Sequence, residues 1–245
     1  MSEKQFLEDL FDNYITSDDS PYLRNMRELE IKECKKHMTE GGYALELGCE
    51  IGYMTSMISP LVEKLDVVEG STKFINEAKK RNLPNATFYN CLFEDFRGHG
   101  QYDYVFMSHV LEHLIDPQQV LRIVHESMKP TGKLFVVVPN GNAASRRLAQ
   151  AMGLIENRFA LTPNDIRGGH RRVYESQSFA MELVKAKFNF SISGLLFKPF
   201  ADFQMDTLLT QGFLTQDHMD GLAKLGESYM DLCGALMAVC TKEEK

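Results

Sequence analysis

The chain contains no apolar run approaching the ~18 to 20 residues that cross a bilayer as a helix, so the sequence predicts no membrane partner. Basic charge is scarce as well: 27 lysines and arginines stand against 34 aspartates and glutamates, a formal net charge of −7. Duplex binding usually requires a basic surface, so no nucleic-acid partner is expected. One local exception, RGGHRR at 167–172, suits recognition of an anion on a small substrate. No CxxC pair occurs among Cys34, Cys49, Cys91, Cys233 and Cys240. That scatter argues against a zinc site and fits reduced thiols, packed as small core residues, in the cytosol. The N-terminus, MSEKQFLEDLFDNY, places acidic residues where a secretory signal needs a basic stretch and an apolar one, so the expected location is cytoplasmic. Internal repeats and low-complexity tracts are also missing.

What is present is the composition of a globular protein: 245 residues, 44% apolar and 25% charged. That length suits one large domain better than two small ones. Residues 3–38 read as two helices broken at SDDSP, where Ser20 or Asp19 can cap and Pro21 can occupy the first turn. A helical cap over 1–40 followed by a main domain over 41–245 is the expected division. From residue 43 the period changes. ALELG (44–48), KLDVVEG (64–70), NATFYN (85–90), YDYVFMS (102–108) and KLFVVVP (133–139) are short, β-rich runs. Helical patterns such as STKFINEAKKRN and DPQQVLRIVHESMK lie between most of them. Alternation of this kind predicts parallel βαβ units and a doubly wound α/β sheet with helices on both faces, because a right-handed crossover needs the intervening helix. After Pro139 the alternation stops for about thirty residues, long for a connection in a compact domain. The polar segment 140–172 is therefore a candidate lid, and 200–230 reads as a second, helical insertion. ESQSFAMELVKAKF then leads to a strand-like FNFSISGLLFK, and LCGALMAVC (232–240) to a final strand.

Three features coincide at the first βα unit. Glu46 ends the strand, Gly48 and Gly52 bracket the turn, and Glu69 ends the next strand 21 residues beyond Gly48. A ligand can sit there against a helix N-terminus while a carboxylate accepts from ribose hydroxyls. A dinucleotide fingerprint would demand GxGxxG, whereas this chain offers GCEIG. The glycine that lets backbone approach a pyrophosphate is missing, and Glu50 would repel phosphate, which disfavours NAD(P).

The acidic-x-Gly-x-x-x-Gly turn with a second acidic residue at the end of the second strand resembles the class I S-adenosylmethionine-dependent methyltransferases. So does YDYVFMSHVLEHLIDPQQVLRIVHESMKPTGKLFVVVPN (102–140), which looks like that family's fourth strand, helix and fifth strand. The matching segments run over roughly residues 42–140. The resemblance implies a Rossmann-like, seven-stranded, mostly parallel sheet and S-adenosylmethionine as cofactor. It places Glu46, Gly48, Cys49, Gly52 and Tyr53 around the amino-acid end of the cofactor, and Glu69 with Gly70 at the ribose. Cys91, Leu92 and Phe93 would cover adenine, and Ser108 and His109 would face the sulfonium. Adenosylmethionine carries no phosphate, so a carboxylate in the loop is tolerable. Two departures stand out. Glu50 replaces a common glycine, so it must turn away from the cofactor carboxylate or meet Arg24 or Arg27. Leu92 stands where many members place an acid on the adenine amino group, leaving the CLFEDF stretch equally readable as a capped turn.

Methyl transfer is an in-line displacement, so the protein contributes alignment and sometimes a base. A hydroxyl nucleophile must lose a proton, and His is the usual acceptor near neutral pH. His109, Glu112 and His113 in SHVLEHL would share a face of a helix starting at the strand end. Some hydroxyl methyltransferases hold a metal at this place, but His109 stands where a further carboxylate would be required, so no metal is expected. The alternative for His109 is a helix-capping residue. Within GGHRRVY (168–174), His170 is a second candidate base, and Arg171 and Arg172 suit a carboxylate or phosphate of the acceptor. The competing reading is a solvated loop with Tyr174 in the core. Tyr14, Tyr22, Arg24 and Arg27 are candidates to close over the cofactor. The 13 methionines and 16 phenylalanines are more often core than pocket at helical spacing. Together these readings point to methylation of a small metabolite, with O-methylation favoured. Two rivals remain. One is a macromolecular acceptor, disfavoured by the lack of an appended basic domain or an NPPY-type motif. The other is a non-catalytic cofactor-binding protein, for which Glu50 and Leu92 would be the symptoms.

Overall fold

The computed structural model describes residues 2–12 and 18–243. Tyr14 lies outside the described residues. Seven strands, β1 (Tyr43–Leu47), β2 (Lys64–Glu69), β3 (Ala86–Asn90), β4 (Tyr102–Ser108), β5 (Met128–Pro139), β6 (Phe188–Gly194) and β7 (Ala235–Lys242), form one sheet in the order β3-β2-β1-β4-β5-β7-β6. The first five pair in parallel, and β7 runs antiparallel between β5 and β6. This is the mostly parallel, doubly wound sheet that the alternation predicts. Its inner strands are near-continuous apolar runs because both faces are covered. Leu45, Val67, Val105, Met107, Val136 and Val138 are all fully buried.

The helices are α1 (Glu3–Phe11), α2 (Pro21–Lys35), α3 (Tyr53–Ile58), α4 (Thr72–Lys79), α5 (Pro117–Ser127), α6 (Ala144–Ala151), α7 (Pro163–Arg167), α8 (Ser176–Lys185), α9 (Asp202–Thr210) and α10 (Gln216–Ser228). One face of the sheet packs against α5 and α8 through Val120, Leu121, Val124, Phe179 and Leu183. The other packs against α2, α3, α9 and α10 through Met26, Ile31, Ile58, Met205 and Met219. Most of the methionines at helical spacing are thus core, as their adaptable side chains suit.

Ser20 caps α2, accepting from Leu23 N at 3.0 Å, with Pro21 in the first turn. The Ser20 hydroxyl and Tyr22 N also donate to Asp206 of α9, at 2.8 Å each, which fixes the N-terminal end of α2 against the second insertion. That insertion is helical, as expected. The first insertion is more ordered than a polar loop suggests, since it contains α6 and α7.

One expectation fails. Residues after Ser108 do not continue as a helix: His109 leaves the strand with a left-handed φ of 54°, residues 111–113 form a turn, and α5 begins only at Pro117. Asp116 caps it, accepting from Gln119 N at 3.1 Å, and the Asp-Pro pair sets this boundary.

β1 has β2 on one side and β4 on the other, so the chain reverses its direction of winding there and leaves a crevice beyond the carboxyl ends of these strands. Gly52 opens α3 at its rim with φ 81°, and a Cβ there would lie 2.9 Å from both Cα and Cβ of Ala78. Gly52→Ala is therefore expected to lower stability by ~1 to 3 kcal/mol through backbone strain and the close approach of α4. Urea unfolding checks this, and an unchanged midpoint would show that α3 and α4 can move apart freely.

Candidate active site

The crevice is a cavity with a floor from the sheet and a roof from α1. Gly48, Cys49 and Glu50 after β1, Glu69 and Gly70 after β2, and Ser108 to Val110 after β4 line its floor. Phe6, Leu7 and Leu10 of α1 line its roof. Gly48 takes φ 77°, and a Cβ there would meet Val110 at 3.0 Å. Leu7 lies directly over Gly70, leaving no room for a side chain. Glu50 lines the cavity with an unusual φ of 49°.

Two buried carboxylates mark the end near β1 and β2. Glu69 accepts from Ser71 N at 2.8 Å; burial raises its pKa to about 7 despite the N–H groups of Ser71, Cys49 and Gly70. Glu46 stands two residues before Gly48, with neither carboxylate oxygen hydrogen-bonded. Burial pushes its pKa to about 8. Glu46 is thus short of donors, as a site for a ligand with an ammonium group requires, whereas Glu69 is answered by backbone N–H groups. Leu92 and Phe93 line the neighbouring wall, while Cys91 is half-buried and packs against the core. Tyr53 turns outward: its hydroxyl donates to Glu28 at 2.9 Å and Arg81 lies over its ring at 5.5 Å.

The roof is latched at both ends. Glu8 accepts from Thr72 N (2.6 Å), Lys73 N (3.3 Å) and Ser71 Oγ (3.0 Å), so α1 supplies a negative charge to the N-terminus of α4. At the other end Arg171 holds Glu3 at 2.8 Å and covers the Phe6 ring at 5.1 Å. The insertion 140–172 was the expected lid, but among the described residues none of it lines the cavity. Its last turn buttresses α1 instead, since a Cβ on Gly169 would lie 3.2 Å from Leu10.

At the β4 end the deciding residue is one that the sequence reading missed. Glu30 of α2 is fully buried, accepts from Arg27 Nη1 at 2.8 Å and from Ser108 Oγ, and lies 3.2 Å from His109 Nε2. Burial alone would raise its pKa, but Arg27 and His109 outweigh it and hold Glu30 at about 2. The other nitrogen of His109, Nδ1, lies 3.6 Å from Glu112 Oε1, beyond hydrogen-bond distance. Burial and Arg27 depress the His109 pKa; the carboxylates of Glu112 and Glu30 prevail and set it above the ordinary value. Of the expected closing residues in α2, Arg27 lines the cavity and Tyr22 and Arg24 do not.

The remaining expected residues gather behind His109. His113 lines the cavity, and His170 meets its ring edge-on, with centroids 4.8 Å apart. Arg171 Nε donates to the His113 carbonyl at 2.7 Å, and Arg172 donates to the carbonyls of Leu111 (3.1 Å) and Ile115 (3.3 Å). Their guanidinium groups thus brace the 109–115 turn instead of presenting themselves to an anionic acceptor. The turn and the insertion also bring Glu112, His113 and His170 together, each with a nitrogen or oxygen atom within 4.8 Å of the other two.

Residues 22–192 match the family model of a methyltransferase domain. No curated protein matches the chain by sequence. Among solved structures, DhpI in complex with SAH is similar at a TM-score of 0.64 with 16% identity, covering 99% of this chain and 96% of that one. The N-methyltransferase NodS from Bradyrhizobium japonicum WM9, in complex with S-adenosyl-L-homocysteine, superimposes at 0.63 with 14% identity over 98% of each chain. A complex between the Trm112 methyltransferase activator and a methyltransferase of Haloferax volcanii gives 0.64 with 15% identity, again over 98% of each. At these identities the likeness is one of fold.

Glu30 also generates a pH dependence. Its pKa is depressed in the folded state, so its contribution to stability is present above pH ~4.5 and is lost as pH falls toward 2. Relative to Glu30→Gln, the native protein should lose about 2 kcal/mol more between about pH 6 and pH 3. Parallel pH profiles of the two urea midpoints would contradict an ionised, paired Glu30.

Proposed function

Because the chain belongs to the class I S-adenosylmethionine-dependent methyltransferases through its methyltransferase domain, we propose that it methylates a hydroxyl group of a small acceptor, with His109 receiving the proton. The observation that carries this reading is the asymmetric holding of His109. Its Nε2 lies within hydrogen-bond distance of buried Glu30, while Nδ1 makes no hydrogen bond and faces Glu112 at 3.6 Å. With Nε2–H donated to Glu30, Nδ1 is the nitrogen left to accept a proton, and the two carboxylates stabilise the imidazolium that results.

The residues present fit the cofactor. When bound, S-adenosylmethionine supplies a methyl carbon whose bond to sulfur breaks as the acceptor oxygen bonds to it, the electron pair staying on sulfur. Glu69 would take the ribose hydroxyls and Glu46, otherwise unpartnered, would answer the ammonium of the methionine part. Leu92 and Phe93 would cover adenine by apolar contact. Ser108 and His109 stand at the methyl-donating end, and α1 excludes water, which favours displacement at a cationic sulfur. A net charge of −7 supports a small acceptor over a polyanionic one. The five cysteines, all free, fit a reducing cytoplasm.

Three measurements test this. Incubation with methyl-labelled S-adenosylmethionine and pooled metabolites should label an oxygen of a small molecule; label found only on RNA or protein, or on nitrogen, would contradict the assignment. His109→Gln should lower turnover by ~10² to 10⁴, with S-adenosylhomocysteine affinity little changed. Glu69→Ala should instead weaken that affinity by ~2 to 3 kcal/mol. Full turnover in a folded His109→Gln enzyme would leave alignment alone as the source of catalysis.

A further inference from the structure

Both insertions leave the sheet at its carboxyl edge, since β5 and β6 each run antiparallel to β7 and the insertions follow them. They also touch: Ser145 N at the start of α6 donates to the Lys198 carbonyl, just ahead of α9, at 2.8 Å. Nine of the thirteen large apolar side chains exposed among the described residues belong to these two segments, about a quarter of the chain. Single exposed apolar residues need no explanation, but a concentration of this kind marks a surface that something covers.

Each insertion has an apolar tip. α6 places Leu148 and Met152 one turn apart on its exposed side, and Leu154 N closes the helix end on the Ala149 carbonyl at 2.9 Å, which sets Leu154 beside them. A Cβ on Gly153 would meet nothing within 4 Å among the described residues. Phe213 projects in the same way from the turn between α9 and α10, beside Gly212, which is equally open. The charges of the two segments are opposite. Residues 140–172 carry six arginines against Glu156 and Asp165, a net +4 with His neutral, and residues 200–230 carry five acids against Lys224, a net −4. Part of this charge is answered within the chain, by Asp165 on Arg146 and by Glu3 on Arg171. At the tips the partners are neutral: Arg147 donates to the Asn142 carbonyl at 3.0 Å, Asp220 accepts from Gln216 at 3.1 Å, and both side chains are exposed.

An anionic membrane or a nucleic acid would attract the basic tip and repel the acidic segment beside it. A second copy of the chain, related by a two-fold axis, offers each tip its opposite, and does so twice, as an isologous interface requires. We propose that the two insertions form the face through which the protein associates as a symmetric dimer. Leu148, Met152 and Leu154 of one protomer pack on Phe213 of its partner, with Arg147 facing Asp217 and Asp220. Neither tip lines the cavity under α1, so the association stands apart from the reading of the active site.

Sedimentation velocity on the full chain, from low to high micromolar concentration, tests this. The expected result is a reversible monomer–dimer equilibrium that weakens as salt rises, because the facing charges lie at the rim. Phe213→Ser should raise the dissociation constant by about 30-fold, as truncation of a buried aromatic anchor does. Charge reversal gives the sharper readout. Arg147→Glu makes both tips negative, and Asp217→Lys with Asp220→Lys makes both positive; each variant alone should be monomeric where the native chain is dimeric. Mixed, the two should form a heterodimer, because each tip then meets its opposite, and a misfolded variant could not. A chain that stays monomeric at high concentration, a dimer indifferent to these changes, or a mixture that fails to restore the dimer would each overturn the proposal. So would a monomer that binds phosphatidylserine vesicles through Arg147, which would assign the face to a membrane surface.

Discussion

An ionised carboxylate without access to water must be answered by donors inside the protein, and Glu30 is the one on which the β4 end of the cavity depends. Its partners come from three places: Arg27 one turn earlier on α2, Ser108 at the last position of β4, and His109 just beyond it. A single buried charge therefore ties the second helix to the carboxyl edge of the sheet and fixes the ring orientation of His109. The far end of α2 is fixed independently, by Ser20 and Tyr22 on Asp206. Held at its start and at its middle, α2 forms a rigid wall, and Arg27 reaches the cavity from it.

The roof follows a different logic. No residue of α1 is buried, and the helix is held by Glu8 on the backbone of α4, by Lys73 on Asp12, and by Arg171 on Glu3. Exposed ion pairs of this kind contribute little each and are screened by salt. The element that covers the cavity is thus the one whose release disturbs the core least. Arg171 belongs to both parts of the site, since it also braces the turn that carries His113. Closure of α1 and the order of that turn share one guanidinium.

The sheet was legible because its inner strands are apolar on both faces and are punctuated by helical periods, and the Ser20-Pro21 start of α2 because the cap chemistry is local. The place of Glu69 at the end of the second strand was legible for the same reason. What escaped the sequence depends on partners far away in the chain. Glu8 meets Thr72 across 64 positions and Arg171 meets Glu3 across 168, so neither pair leaves a local pattern. Glu30 looks like one more charge in the helical string RELEIKECKK, and only burial against Ser108 and His109 distinguishes it. SHVLEHL has the spacing of a helix, but His109 enters a left-handed conformation and the Asp-Pro pair delays the helix to Pro117. His170 reaches Glu112 only through the folding of the insertion.

The central claim is that the carboxylates beyond β1 and β2 and the Glu30-held histidine beyond β4 form one site under α1. A crystal structure with S-adenosylhomocysteine tests it most directly. The account predicts both ribose hydroxyls on Glu69, the amino group toward Glu46, and sulfur facing Ser108 and His109 beneath Leu7. A ligand bound with its sulfur turned from His109, or with its ribose hydroxyls away from Glu69, would contradict it.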